Sequence, residues 1–128
     1  MRHLLALPFA CLMLTACAAP PGPSARAFTL APGGSVQAAP GVTLRFEEVE
    51  DSRCPPGVRC VWAGKLSCRF SLSQTGAASE SFTLSPGDPG HASRLLGGAR
   101  IELDEASLPA PAAPDAVANH RVTVKVLP

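Results

Sequence analysis

The chain has few of the patterns that announce a chemistry. No basic stripe or run of like charge occurs, and Lys plus Arg number 11 against 10 Asp plus Glu. That argues against nucleic acid as a partner and against electrostatic recruitment to a membrane. No stretch longer than a turn carries the 3.6-residue apolar spacing of an amphipathic helix, and no internal repeat is visible. A G-x-S-x-G elbow is missing, so the Ser, His and Asp residues have no framework that would organise nucleophilic catalysis. A C-x-x-C pair is missing too, and with it the usual arrangement for lowering a thiol pKa in redox catalysis. The cysteine spacing lacks the close C-x2–4-C pair that marks structural zinc. These absences predict a protein that is not an enzyme and that carries no cofactor.

What is present begins with an address. Met1-Arg2-His3 is a short basic start, followed by the apolar run Leu4 to Leu14, interrupted by Pro8. A membrane-spanning helix needs about 20 apolar residues, so this run is too short to cross a bilayer. It has the layout of a secretory signal peptide. Its exit, Leu14-Thr15-Ala16-Cys17, resembles the bacterial lipobox. The resemblance implies diacylglycerol transfer to the Cys17 thiol, cleavage before it, and acylation of the new N-terminus (a palmitate-type anchor). Each buried methylene adds about 0.8 kcal/mol, so two or three acyl chains hold a protein stably on a membrane where one does not. Ala18 follows Cys17 where lipoproteins retained at the inner membrane carry Asp, which favours the outer membrane facing the periplasm.

Residues 1–16 are therefore expected to be a lipoprotein signal peptide, residues 17–26 the lipidated cysteine with a Pro-rich tether, and residues 27–128 a single domain. Residues 17–128 suffice for one domain and not two. Without Arg2 the chain is formally neutral. The segment Ala18-Ala-Pro-Pro-Gly-Pro-Ser-Ala25 has the composition of an extended spacer.

The 14 prolines and 11 glycines signal many turns, and the segments between them read as strands. Phe28 to Leu30 and Ser35 to Ala38 are short examples. Val42, Leu44 and Phe46 alternate with Thr43, Arg45 and Glu47, the period-2 pattern of a half-buried strand. Val49 breaks that parity, which predicts a β-bulge at Glu47 and Glu48. Leu66, Cys68, Phe70 and Leu72 alternate with polar residues in the clearest strand of the chain. Phe82 and Leu84 follow in another. Leu95 to Ile101 reads as a hairpin, with Gly97-Gly98 as its two-residue turn. Leu108 to Pro114 is a Pro/Ala crossover, and Val122, Val124 and Val126 alternate in a last strand. Seven or eight short strands separated by turns predict an all-β fold, an antiparallel β-sandwich in preference to a small barrel.

Between the two best strands lies Asp51-Ser-Arg-Cys-Pro-Pro-Gly-Val-Arg-Cys-Val-Trp-Ala-Gly64, with two cysteines and the single tryptophan. An exported chain keeps disulfides. Pro55-Pro56-Gly57 can turn the chain back, which favours pairing Cys54 with Cys60. So small a ring contributes about 2 kcal/mol by loop-closure arithmetic. Pairing Cys60 with Cys68 stays open, because connectivity is not readable from spacing. Cys68 has the inward parity of its strand and reads as a buried thiol acting as a small hydrophobe.

The residues Asp51-Ser-Arg-Cys-Pro55 followed by Cys60-Val-Trp-Ala-Gly64 are similar to the signature of a family of small exported bacterial proteins, many of them lipoproteins, with no assigned activity. The resemblance covers about fourteen residues. It implies a β-rich domain with the two cysteines of the signature joined in a disulfide, and it supplies no reaction, ligand or partner.

Three function classes follow. The preferred one is a membrane-anchored envelope protein whose sandwich is a binding or structural module. In the second, an inhibitor-like protein inserts the braced loop into an envelope protein partner; its contact residues would be Pro55, Pro56, Val58, Arg59 and Trp62, since aromatic and arginine side chains dominate interface energetics. Trp62 has a rival reading as a lid packed on the disulfide. In the third and least favoured class, Cys54, Cys60 and Cys68, with His91 or His120, hold a soft metal such as Cu(I) or zinc. Arg53 is expected to pair with Glu47, Glu48, Glu50 or Asp51, and Asp51 to cap the turn. Glu47 and Glu48 point to opposite faces of a regular strand, a poor acid/base couple unless the bulge realigns them. Glu102 and Asp104 share the solvent face. His91 and His120 are expected on the surface.

Overall fold

The computed structural model describes residues 17–20 and 24–128. The signal peptide read at residues 1–16, and residues 21–23 of the tether, lie outside the described residues. The alternating segments form eight strands: β1 Arg26–Leu30, β2 Ser35–Ala39, β3 Val42–Asp51, β4 Leu66–Gln74, β5 Glu80–Leu84, β6 His91–Ala92, β7 Arg100–Leu103 and β8 Val122–Leu127. They make two four-stranded antiparallel sheets packed on each other, in the orders β1-β8-β7-β6 and β2-β3-β4-β5. The fold is the expected antiparallel β-sandwich. Strand β1 opens at Arg26, the last residue assigned above to the tether.

The core lies between the sheets and is drawn from the inward parity of each strand. Val42, Leu44 and Phe46 of β3 meet Leu66, Cys68, Phe70 and Leu72 of β4. Ile101, Val122, Val124 and Val126 come from the facing sheet. Phe46 and Phe70 are register partners, as are Phe70 and Phe82. Their rings stack at centroid distances of 4.8 and 5.8 Å. His91 of β6 continues the row, its ring parallel to Phe82 at 4.2 Å. Its Nε2 lies 3.2 Å from Glu80 of β5. The other oxygen of Glu80 accepts the backbone N–H groups of Arg94 and Leu95. Glu80 and His91 thus join the edge strand of one sheet to the edge strand of the other.

The break in parity at Val49 is a bulge. The register of β3 on β4 slips between Phe46 and Glu48, which returns Val49 to the inner side opposite Cys68. With the extra residue taken up, Glu47 and Glu48 are both exposed. Glu47 accepts from Ser71 and Arg45, and Glu48 pairs with Arg69. Each carboxylate has a cation or hydroxyl partner of its own, as surface ion pairs on a sheet do.

Two expectations change. Leu95 to Ile101 is not a two-residue hairpin. The strands that pair are β6 and β7, and residues 93–99 form the loop between them, tied by Ser93 N–H to Ala99 O and Gly98 N–H to Ser93 O. Gly97 and Gly98 do take positive φ, 67° and 90°, yet they end that longer loop. The side chains of Leu95 and Leu96 pack against the core from it. Nor are His91 and His120 surface residues: both are partly buried against carboxylates. The Pro/Ala crossover, by contrast, is free of strand, with a single 3-10 turn at Glu105–Ser107 ahead of it.

Candidate functional site

The segment between β3 and β4 is a braced arch. The two strands continue as a narrower ladder beyond Asp51 and Leu66, through Ser52 N–H to Lys65 O at 2.9 Å and Cys54 N–H to Ala63 O at 3.0 Å. The Ser52 hydroxyl accepts the Lys65 N–H at 3.0 Å. Gly64 sits inside this ladder with φ 67°, against the Ser52 carbonyl, where a Cβ has no room. Only glycine satisfies both the backbone conformation and the close approach. At the far end Val58 N–H donates to Pro55 O at 3.3 Å. With Pro56 at the second position and Gly57 at the third (φ 75°), this is the side-chain signature of a type II turn. The Cys54–Cys60 disulfide closes the ring, its Cα atoms 5.9 Å apart.

Asp51 holds the base of the arch. Its two carboxylate oxygens take Nε and Nη2 of Arg53 at 2.8 Å each, a fork-on-fork pair. Oδ1 also accepts the Arg53 backbone N–H at 3.2 Å, the turn-capping role expected of it. The remaining guanidinium nitrogen, Nη1, donates to the Pro109 carbonyl at 2.9 Å. His120 Nε2 lies 3.3 Å from Oδ2. The carboxyl is held down to about 2, first by the hydrogen bonds from the Arg53 side chain, against the opposing effect of burial. The network fastens the arch to the crossover that runs back to β8.

Below it, Cys68 is fully buried on β4, and burial pushes its thiol up to about 11. It is therefore protonated and unreactive at neutral pH. With Cys54 and Cys60 joined, the thiols of the soft-metal reading are not held together, and among the described residues no group of three His, Cys, Asp or Glu side chains is placed to hold a metal ion.

The apolar side chains of the arch point outward. Trp62 is 79% exposed and Val61 96%. Trp62 is thus not a lid on the disulfide. No β-strand alternation runs through Cys60 to Gly64 to turn it toward the core. Pro56, Val58 and Arg59 are exposed as well, and Pro55 is half-buried. Beside the arch lies an open cleft of about 430 Å³, lined mainly by Cys54, Ala63, Gly64, Leu66, Pro86 and Pro111. The sequence-derived contact residues therefore do lie on one projection. Val61, Gly64, His120 and the crossover prolines were not among them. Gly64 carries a signal, since a glycine ending a turn-rich segment marks positive φ, whereas nothing local links His120 to Asp51.

Comparison with known proteins finds no match: no family model fits the chain, and neither a curated protein nor a solved structure is similar to it.

Proposed function

We propose that this chain is a lipid-anchored protein of the bacterial envelope, held by Cys17 on the outer membrane facing the periplasm, whose sandwich is a non-catalytic binding module. The exposed pair Val61–Trp62 on an arch with a disulfide, a backbone ladder and an Asp51–Arg53 clamp carries the reading. Burying a tryptophan and a valine in a partner supplies binding energy, and a loop already rigid loses little freedom on doing so. The polar clusters favour binding over turnover, because Asp51, Arg53 and His120 tie loops together and Glu80 and His91 tie sheet edges together. Cys17 is exposed, as an acylated residue on a tether must be. An inhibitor-like mode, in which Pro55 to Arg59 enters a partner's cleft, is favoured by the exposed type II turn at the loop end.

The test has two parts. Mature chain extracted from membranes should carry acyl mass on Cys17. Val58→Ala/Arg59→Ala should weaken co-purification with envelope protein while the melting temperature stays put. Unaltered co-purification counts against the inhibitor-like mode, and a turnover by the purified chain that one polar substitution abolishes overturns the binding-module reading.

A further inference from the structure

The arch and the entry of the chain lie at opposite ends of the sandwich. Strand β3 runs toward the arch and β4 away from it, so Val42 and Gln74, register partners, mark the far end. On the other sheet His120 touches Asp51, so β8 starts at the arch end and finishes at the far end. Arg26 is the register partner of Val126 near the finish of β8. Ser24 and Arg26 share a hollow with Leu96, Ala99 and Pro128 there. The ten residues of β3 span about 33 Å at ~3.3 Å each, which separates Val61 and Trp62 from the point where the tether joins. In a domain held through Cys17, the arch is therefore the end farthest from the point of attachment.

The arch also has a charge of its own. No Asp or Glu occurs from Ser52 to Ser79. Arg53 is engaged by Asp51, but Arg59 and Lys65 are exposed and have no carboxylate partner among the described residues. Two free cations therefore flank the exposed apolar pair.

We infer that the arch is a membrane-distal docking tip for a protein partner with an apolar slot rimmed by carboxylates: Val61 and Trp62 enter the slot, and Arg59 and Lys65 meet its rim. The inference rests on the anchored binding-module reading and adds the partner's chemistry and the side from which it approaches. Rim charges of this kind speed encounter and fix orientation, while the buried aromatic supplies most of the hold. An anionic lipid surface would match the same side chains, but the anchored segment joins the domain at the opposite end.

The experiment places a photo-crosslinking residue at position 62 of the full lipidated chain in cells, with position 78 on the β4–β5 turn as the far-end control. Position 62 should give an adduct with a protein, cross-linked within a slot bordered by Asp or Glu, and position 78 should not. Arg59→Glu/Lys65→Glu should cut the adduct at least tenfold, and Lys in place of the rim carboxylates should restore it. Trp62 is the only tryptophan and the chain has no tyrosine, so emission of the purified protein reports the tip. It should not shift with phosphatidylglycerol vesicles. Adducts with lipid, a blue shift on the vesicles, equal adducts at position 78, or an adduct indifferent to charge reversal would each overturn the proposal. Acyl mass on Cys17 separates the two readings. A mature chain without it removes the anchor reading and with it the membrane-distal claim, and an adduct at position 62 would then support only the charged slot.

Discussion

Replacing Asp51 by Asn keeps the side chain's shape while removing the charge shared by Arg53 and His120. The carboxyl titrates at about 2 in place of its ordinary 3.8. Each pH unit of depression is worth about 1.36 kcal/mol, so the gross contribution to stability at neutral pH is about 2.4 kcal/mol. The pair is largely but not wholly shielded, with Asp51 12% and Arg53 19% exposed, and water screening lowers the figure to about 1.5–2 kcal/mol. Because the folded value lies below the unfolded one, this stability is complete above about pH 4 and is lost as pH falls toward 2. A domain of this size shifts its midpoint by about 4–8 °C per kcal/mol. Asp51→Asn should therefore melt about 6–16 °C lower at pH 7, the gap closing as the wild type is acidified to pH 2. Far-UV circular dichroism is the readout, because Trp62 is already exposed in the native state and reports unfolding poorly. A gap below about 0.5 kcal/mol, the range of an ordinary surface substitution, or one that does not change between pH 7 and pH 2, would refute the account of the clamp.

The other expectations concern the arch and the core. Cys54→Ala/Cys60→Ala should cost about 2 kcal/mol in urea unfolding, since so small a ring removes little chain entropy. A fully stable variant would show that the ladder and the Asp51 clamp suffice. Of the described cysteines outside the disulfide, Cys68 should be alkylated only after denaturation, as read by mass spectrometry, whereas exposed Cys17 labels in the native protein wherever it carries no lipid; native labelling of Cys68 would contradict its burial. Gly64→Ala should cost at least about 2 kcal/mol, from positive φ and the collision with the Ser52 carbonyl together, whereas Trp62→Ala should leave unfolding within about 0.5 kcal/mol of wild type. Comparative chemical denaturation of the two checks both statements.

Strand positions were legible because side chains alternate across a sheet, so Val42, Leu44 and Phe46 announce their buried face without knowledge of a partner. The bulge was legible for the same reason, as the one place where Val49 leaves the period. The pairing was not. Strand β1 joins β8 at the other end of the chain, and no local preference encodes a bond across that separation. The hairpin assigned to Gly97-Gly98 failed similarly: the glycines mark positive φ, but the strands that close the loop were set by β6 reaching β7 under Phe82 and Glu80.

By itself the sequence determined most of the turns and the inward parity of each strand, since both depend on neighbours within a few residues, whereas the choice of Cys54–Cys60 over Cys60–Cys68 came from the structure. The tertiary structure alone decided that His120 reaches Asp51, that Pro109 takes the third nitrogen of Arg53, and that His91 stacks on Phe82. It also decided that Trp62 faces outward and that the arch stands at the end opposite Arg26. Those features depend on which strands lie side by side. That is settled by burying one common core, a property of the whole chain and of no short stretch of it.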